Sequence, residues 1–410
     1  MKILLLSIGT RGDCEPFLGV GEILRNYGED VVCAFPEQYR NFAEDSGFRF
    51  CSLGSGFIDL LGSQDGRNAI SGKCLQKFTA TIRMAKTSMP IQKDIIREQH
   101  NIIATENPDI IIFHPKAVYP VPYHLKTDKR VIVLGTVPQM LHEVKDRPHI
   151  GLDKLPSKLS YKIANFGFAQ SVMLAVRMFF KGELRRKQIQ GELLRLPIFY
   201  TVSPHVFPRP EYWNDNAIVA GFIERNKTLN WKPNDELNAF IERHKKLLFV
   251  TFGSMTNLNP REKTGIIVDV LQELKIPAIL NISGGGLAEL ESYDKGLIYF
   301  VQSIPYDWAF PKMYATVHHG GAGTTQSSLK AGCTTMAIPH VGDQPMWNER
   351  IAELGVGVKG MPIEKMSRQN LKEKLWDLYN NPQYKENAAN LAERMRAEDY
   401  SKMLYKFIVR

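Results

Sequence analysis

Between His318 and Gln344 the chain reads HHGGAGTTQSSLKAGCTTMAIPHVGDQ, an order of residue types suited to holding an anion and a set of neutral hydroxyls together. An apolar approach at Ala315 and Val317 ends on two histidines. Gly320, Gly321, Ala322 and Gly323 then form a turn that feeds a helix at Thr324 and Thr325. Backbone N–H groups at such a turn, joined to the positive end of the helix dipole, can hold a phosphate without a metal. Beyond a strand-like Thr335 to Ile338 and the breaker Pro339 come Asp343 and Gln344, an acceptor and a donor suited to hydroxyl groups. The plain alternative is a tight turn followed by a polar loop; the combined order of histidines, glycine turn, helix, strand, proline and Asp-Gln favours the anion cradle.

Such a site needs a scaffold. At 410 residues the chain is long enough for about two domains. A hydrophobic content of 44% and a charged content of 23% are those of a globular protein. The five cysteines (Cys14, Cys33, Cys51, Cys74, Cys333) are scattered without CxxC spacing and read as reduced thiols of a cytoplasmic protein, with neither a disulfide framework nor a zinc site. A net charge of +9 favours an anionic partner. Nucleic acid is disfavoured, because no basic tail occurs and aromatics are not interleaved with the basic residues. The opening MKILLLSIGTRGD has too short an apolar run for a signal peptide and reads as a first strand. Ala164 to Phe180, broken by Asn165, Gln170 and Arg177, is too short and polar to span a bilayer. The expectation is a soluble protein, with contact to a membrane surface left open by the basic helical stretch from Leu152 to Pro197.

The strands follow a simple rhythm. Ile3 to Ile8 is an apolar run of buried-strand type and Gly9 to Pro16 its exit loop, with Pro16 at the expected start of a helix. Val31 to Phe35, Ile110 to Phe113 and Val131 to Thr136 continue the series with helical stretches between them, which predicts an α/β fold with a parallel sheet. Gly54 to Gly72, rich in glycine and serine, reads as a loop above that sheet. Pro204, Pro208 and Pro210 read as an interdomain linker. The pattern then restarts: Lys246 to Gly253 echoes Lys2 to Gly9, which suggests two Rossmann halves. The expected domains are 1–205, 206–388 and a C-terminal helix over 389–410 that returns to the first. Neither first turn is GxGxxG, against a dinucleotide enzyme. No DxD occurs, against a metal-held diphosphate.

The chain resembles the family-one, UDP-dependent glycosyltransferases of GT-B architecture, closest to the branch with sterol glucosyltransferases and antibiotic-aglycone glycosyltransferases. Three blocks carry the resemblance: Gly9-Thr10-Arg11-Gly12-Asp13 with Glu15-Pro16; Ile304-Pro305-Tyr306-Asp307-Trp308 with Phe310-Pro311; and HHGGAGTT through GDQ. It implies two facing Rossmann-like domains with a deep cleft. It assigns His319, Gly321, Ala322, Gly323 and Thr324 to the donor diphosphate, with Ser254 closing that site and Gly12 on the donor side. Asp343 and Gln344 fall to the sugar hydroxyls, and Gln302, Ser303 and Ile304 to the uracil edge. Many plant members carry a glutamate eight residues after the histidine, where this chain has Ser327.

Glycosyl transfer needs a base for the acceptor hydroxyl and stabilisation of the leaving diphosphate. Asp13 occupies the position of the branch's catalytic aspartate; its alternative role is a helix N-cap. Where other members keep a partner aspartate, this chain has His114, a second acid/base group or a strand-end histidine. The implied reaction is inverting, metal-free and without a cofactor. It moves a hexose, glucose first, from a UDP-sugar to a lipophilic small molecule. Met140, Phe166 and Met173, with His114, are candidates for the acceptor site, with plain core packing as the equal alternative. A non-catalytic, membrane-associated binding protein and a sugar-nucleotide epimerase are the rival functions.

Overall fold

The computed structural model describes the chain apart from residues 64–73, 153, 226–230 and 258, with the backbone alone for residues 61 and 74–86. It divides into two units. One comprises Met1–Gly66, Thr79–Arg225 and Asp399–Arg410; the other comprises Arg67–Phe78 and Asn226–Glu398.

In the first unit, β1 (Lys2–Leu6), β2 (Asp30–Phe35), β3 (Arg49–Ser52), β4 (Ile110–Phe113), β5 (Arg130–Gly135), β6 (Ile198–Tyr200) and β7 (Ala217–Val219) form one sheet. Their order is β3-β2-β1-β4-β5-β6-β7. Every pairing is parallel; Leu4, for example, lies beside Val32 on one side and Ile111 on the other. Ile3, Leu4, Leu5 and Leu6 are fully buried, which is why the run lacks polar alternation: a parallel strand covered on both faces is apolar on both. Helices α1 (Arg11–Asn26), α2 (Arg40–Glu44), α3 (Gly56–Gly62), α4 (Cys74–Glu106, from Thr79 onward in this unit), α5 (Pro120–Thr127), α6 (Ser157–Phe179) and α7 (Arg186–Leu193) accompany it. The expected Gly54 to Gly72 loop thus contains α3, and its 64–72 portion lies outside the described residues.

Two expectations change here. Helix α1 starts at Arg11, well before Pro16, because the Asp13 carboxylate accepts the Thr10 N–H at 2.7 Å and so caps the first turn. Pro16 therefore sits inside the helix, where it forgoes one backbone bond. The proline-rich stretch is no linker either. Val206, Phe207 and Trp213 are buried, Arg209 donates to the carbonyls of Trp213, Asn214 and Ala217, and β7 extends the first sheet. The first unit accordingly runs past residue 205 to Arg225.

The second unit holds five parallel strands, β8 (Leu248–Thr251), β9 (Ala278–Asn281), β10 (Ile298–Val301), β11 (Ala315–His318) and β12 (Thr334–Ala337), in the order β10-β9-β8-β11-β12. Its helices include α8 (Asp235–Arg243), α9 (Pro260–Leu274), α10 (Tyr306–Ala309), α11 (Ala322–Ala331), α12 (Gln344–Glu353), α13 (Arg368–Asn380) and α14 (Pro382–Arg396). The repeated Lys-to-Gly segments lead into β1 and β8, the strands at which each sheet's order reverses. Only the last helix, α15 (Ser401–Val409), joins the first unit, so the returning piece begins at Asp399. There Leu404 and Ile408 enter the core, Tyr405 stacks on Tyr27 at 4.0 Å, and Arg130 donates to the carbonyls of Phe407 and Ile408.

Candidate functional site

In an open α/β sheet, ligands bind beyond the carboxyl ends of the strands where the order reverses. In the second unit that point lies between β8 and β11, and it brings the Phe252–Asn257 loop against the histidine-glycine turn. The His319 ring is sandwiched there by two glycines. A β-carbon on Gly253 would lie 2.8 Å from its Cε1, and one on Gly321 would lie 2.4 Å from its Nε2. Gly284, at φ +85°, lets the Ser283–Gly286 loop press on the Gly253 carbonyl, 2.1 Å from where a β-carbon would be. This SGGG run belongs to the site's backing, and sequence reasoning passed over it.

His318 is fully buried, and its Nδ1 accepts the Gly320 N–H at 2.9 Å, so that N–H is already used. Burial lowers the His318 pKa to about 3. Burial, followed by the neighbouring His318 and His340, holds His319 well below its ordinary value. His319 is therefore neutral at neutral pH and offers a hydrogen bond but no countercharge. The positive potential comes from α11, whose N-cap is Gly321. Its first backbone bond is Thr325 N–H to the Gly321 carbonyl, which leaves the N–H groups of Ala322, Gly323 and Thr324 without partners along the helix. The Thr325 hydroxyl also donates to the Gly321 carbonyl at 2.9 Å and tightens the turn.

The Asp-Gln pair is also recast. Asp343 stands at the N-cap position of α12 without a side-chain capping bond, and its Oδ2 accepts from the Trp347 indole at 2.7 Å. Gln344 is buried; its carbonyl oxygen accepts the N–H groups of His340 at 2.6 Å and Val341 at 3.0 Å, and its amide nitrogen faces the Met255 sulfur at 3.3 Å. The loop past Pro339 turns too sharply to pair those N–H groups with a strand, so Gln344 holds the loop and retains only its NH₂ edge for a ligand. Ser254, Gln302 and Ser303 are exposed at the same edge, whereas the Ile304 side chain is core. Ser327, at the plant glutamate position, is buried.

In the first unit the reversal lies between β1 and β4. Asp13, at the start of α1, meets two residues that leave β4. Lys116 Nζ lies 2.9 Å from both carboxylate oxygens, and His114 Nε2 lies 3.2 Å from Oδ1. Gly9 makes room, since a β-carbon there would sit 2.0 Å from Asp13 Oδ2. Gly12 stands free beside it, with only the Thr10 hydroxyl oxygen within 4 Å of a would-be β-carbon. His114 is fully buried; its Nδ1 accepts the Lys116 N–H at 3.2 Å, which puts the ring proton on Nε2, facing Asp13 but out of line for a full hydrogen bond. Burial holds His114 below its ordinary pKa despite Asp13. For Asp13, burial pushes upward but is outweighed by the Lys116 charge and by His114, so the carboxylate is held well below its usual range. Asp13 thus combines capping of α1 with a charged cluster at the switch point.

Lys116 carries no sequence signal of its own, because only the fold brings it to Asp13. Its ammonium weakens Asp13 as a base. Lys116→Met should move the acid limb of the pH–rate profile upward: with the depressing charge gone, Asp13 takes up its proton at higher pH. An unmoved acid limb would show that Lys116 does not tune the base.

The acceptor candidates are dispersed. His114 lies in the Asp13 cluster, Met140 and Met173 are half-buried, and Phe166 stands on the solvent face of α6, 45% exposed beneath the Arg186 guanidinium. Phe166 is therefore not a core residue. A separate cavity of about 520 Å³ in this unit is lined by His142, Glu143, Lys145, Tyr212 and Trp213 among others, and includes none of the candidates. Among the described residues no group of three or more His, Cys, Asp and Glu side chains is placed to hold a metal ion.

Two parallel sheets, each with polar residues gathered at its own reversal point, define a GT-B protein, and solved structures agree. The calicheamicin glycosyltransferase CalG4 superposes with a TM-score of 0.72 at 16% identity over 100% of this chain and 98% of its own. SsfS6 from Streptomyces sp. SF2575, complexed with thymidine diphosphate, gives 0.64 at 14% over 99% of both. Residues 267–406 match the family described as erythromycin biosynthesis protein CIII-like, C-terminal domain. A sterol 3-beta-glucosyltransferase of Arabidopsis thaliana is 30% identical over 97% of this chain and 64% of its own length; against fungal sterol 3-beta-glucosyltransferases the chain spans only about a third of the relative, 34% for that of Saccharomyces cerevisiae. The chain is thus similar over nearly its whole length to sterol 3-beta-glucosyltransferases, shares the GT-B fold, and spans less than two thirds of the length of the curated relatives it matches.

Proposed function

We propose that the protein transfers a hexose, glucose first, from a UDP-sugar to a hydroxyl of a lipophilic small molecule such as a sterol or polyketide, with inversion and without a metal. The observation that carries this reading is the Asp13 cluster: a carboxylate kept ionised at a sheet's reversal point, beside an amino group and a neutral imidazole. The acceptor oxygen attacks the anomeric carbon, its proton passes to Asp13, and the bond from that carbon to the nucleoside diphosphate breaks. The departing diphosphate gains its negative charge against the N–H groups of Ala322, Gly323 and Thr324 and the His319 imidazole. Asp343 and the Gln344 NH₂ group contact the sugar hydroxyls.

The sterol-glucosyltransferase relatives support glucose and a sterol-like acceptor, while the thymidine diphosphate complex makes TDP the donor nucleotide to test beside UDP. The deciding measurement offers UDP- and TDP-sugars with sterol and polyketide acceptors, with and without EDTA. Product from a UDP-hexose at an undiminished rate in EDTA is the expected result. Release of UDP without acceptor, or loss of activity in EDTA, would overturn it.

A further inference from the structure

Three of the large apolar side chains left exposed among the described residues lie on one helix. On α6, Leu159, Ile163 and Phe166 are 47%, 44% and 45% exposed, at spacings of four and three residues that put them on one face. Single exposed apolar side chains need no explanation, but a stripe of three within eight residues does. Lys158 and Lys162 are exposed beside it, and α6 contains no aspartate or glutamate. The opposite face, with Tyr161, Ala169, Val172 and Val176 buried, fastens the helix to the unit.

The surrounding charge has one sign. Residues 152–197 carry nine lysines and arginines against three carboxylates, so two thirds of the chain's net charge of +9 sits in this segment. Two of those carboxylates are engaged elsewhere: Glu183 pairs with Lys126, and Glu192 lies 3.6 Å from His124. Arg186 lies over the Phe166 ring at 4.5 Å, an amphipathic pairing at the edge of the stripe.

We infer that this face of α6 docks the protein in the plane of an anionic lipid surface, with Leu159, Ile163 and Phe166 entering the acyl boundary and Lys158 and Lys162 at the headgroups. An apolar stripe flanked by cations matches that surface in both its terms. Self-association through the same face is disfavoured, because a two-fold contact would set Lys158 and Lys162 against their own copies. No described helix is long and apolar enough to cross a membrane, so the contact is in-plane. The inference stands apart from the glycosyl-transfer reading.

The test is sedimentation of the full chain with phosphatidylcholine vesicles, with and without phosphatidylserine, at low and high salt. Binding should require phosphatidylserine and weaken with salt. Leu159→Glu with Ile163→Glu should lower partitioning at least about tenfold, and Lys158→Gln with Lys162→Gln about tenfold or more, from roughly fivefold per charge. Because these side chains are exposed, the melting temperature and UDP affinity of both variants should match the parent; that comparison separates failure of the docking face from failure of the donor site. The inference is overturned if the parent does not sediment with phosphatidylserine vesicles, if the variants sediment equally well, or if ultracentrifugation shows a dimer that Leu159→Glu disperses while vesicle binding is absent.

Discussion

Replacing Asp13 by asparagine should lower turnover by about 10²- to 10⁴-fold, the usual contribution of a positioned general base, with UDP affinity nearly unchanged. Asparagine suits this test because it retains the oxygen that accepts the Thr10 N–H and caps α1, so the helix start survives; alanine would also lose the cap, at a cost of about 0.5–2 kcal/mol, and confound the result. His114 cannot readily take over. Its Nδ1 is occupied by the Lys116 N–H, and Nε2 then carries the proton, so the imidazole faces Asp13 as a donor and must change tautomer before it can accept. The linkage also has a definite sign. Asp13 is depressed in the folded state, so its stabilising ion pair is present above the ordinary carboxylate range and fades as pH falls toward the depressed value. The asparagine variant should therefore lose some stability at neutral pH and none in strong acid, measured by urea unfolding at both. Full activity in the variant would remove Asp13 from the base role.

How much of this was legible without coordinates depends on whether a property is local. Apolar runs such as Ile3 to Leu6 and Val317's strand report their own burial, so the parallel sheets and the repeated Lys-to-Gly lead-ins could be read directly. The boundary at residue 205 could not: β7 is only three residues long, and three prolines imitate a linker around buried Trp213. The start of α1 was hidden because Asp13 caps from inside the first turn, where a sequence reader looks to Pro16. Lys116 was invisible for a different reason, since its meaning comes from a partner 103 residues away. The neutrality of His319 was not legible, because a residue's type says nothing of the desolvation that neutralises it. Gln344 shows the converse: its position in the motif is legible, but the two loop N–H groups that occupy its carbonyl are not.

His319→Ala should weaken UDP binding by about 10- to 100-fold, the equivalent of a hydrogen bond to a charged group at about 1.5–3 kcal/mol. The packing around the ring makes a sharper prediction available. Gly321 has φ −66°, an angle any residue adopts, so within the protein what a β-carbon there would meet is the His319 ring, with Nε2 2.4 Å away. Gly321→Ala should therefore displace the imidazole and cost nearly as much affinity as removing it, without backbone strain. In the double variant the added methyl enters space the ring has vacated, so its loss should equal that of His319→Ala alone; the two changes are coupled, not additive. Calorimetric titration of UDP into the four proteins closes this cycle. Additive losses would mean that Gly321 serves the diphosphate directly through close backbone approach, with His319 an independent neighbour. An unaffected Gly321→Ala would mean that the ring is free to move and that the glycine faces do not hold it.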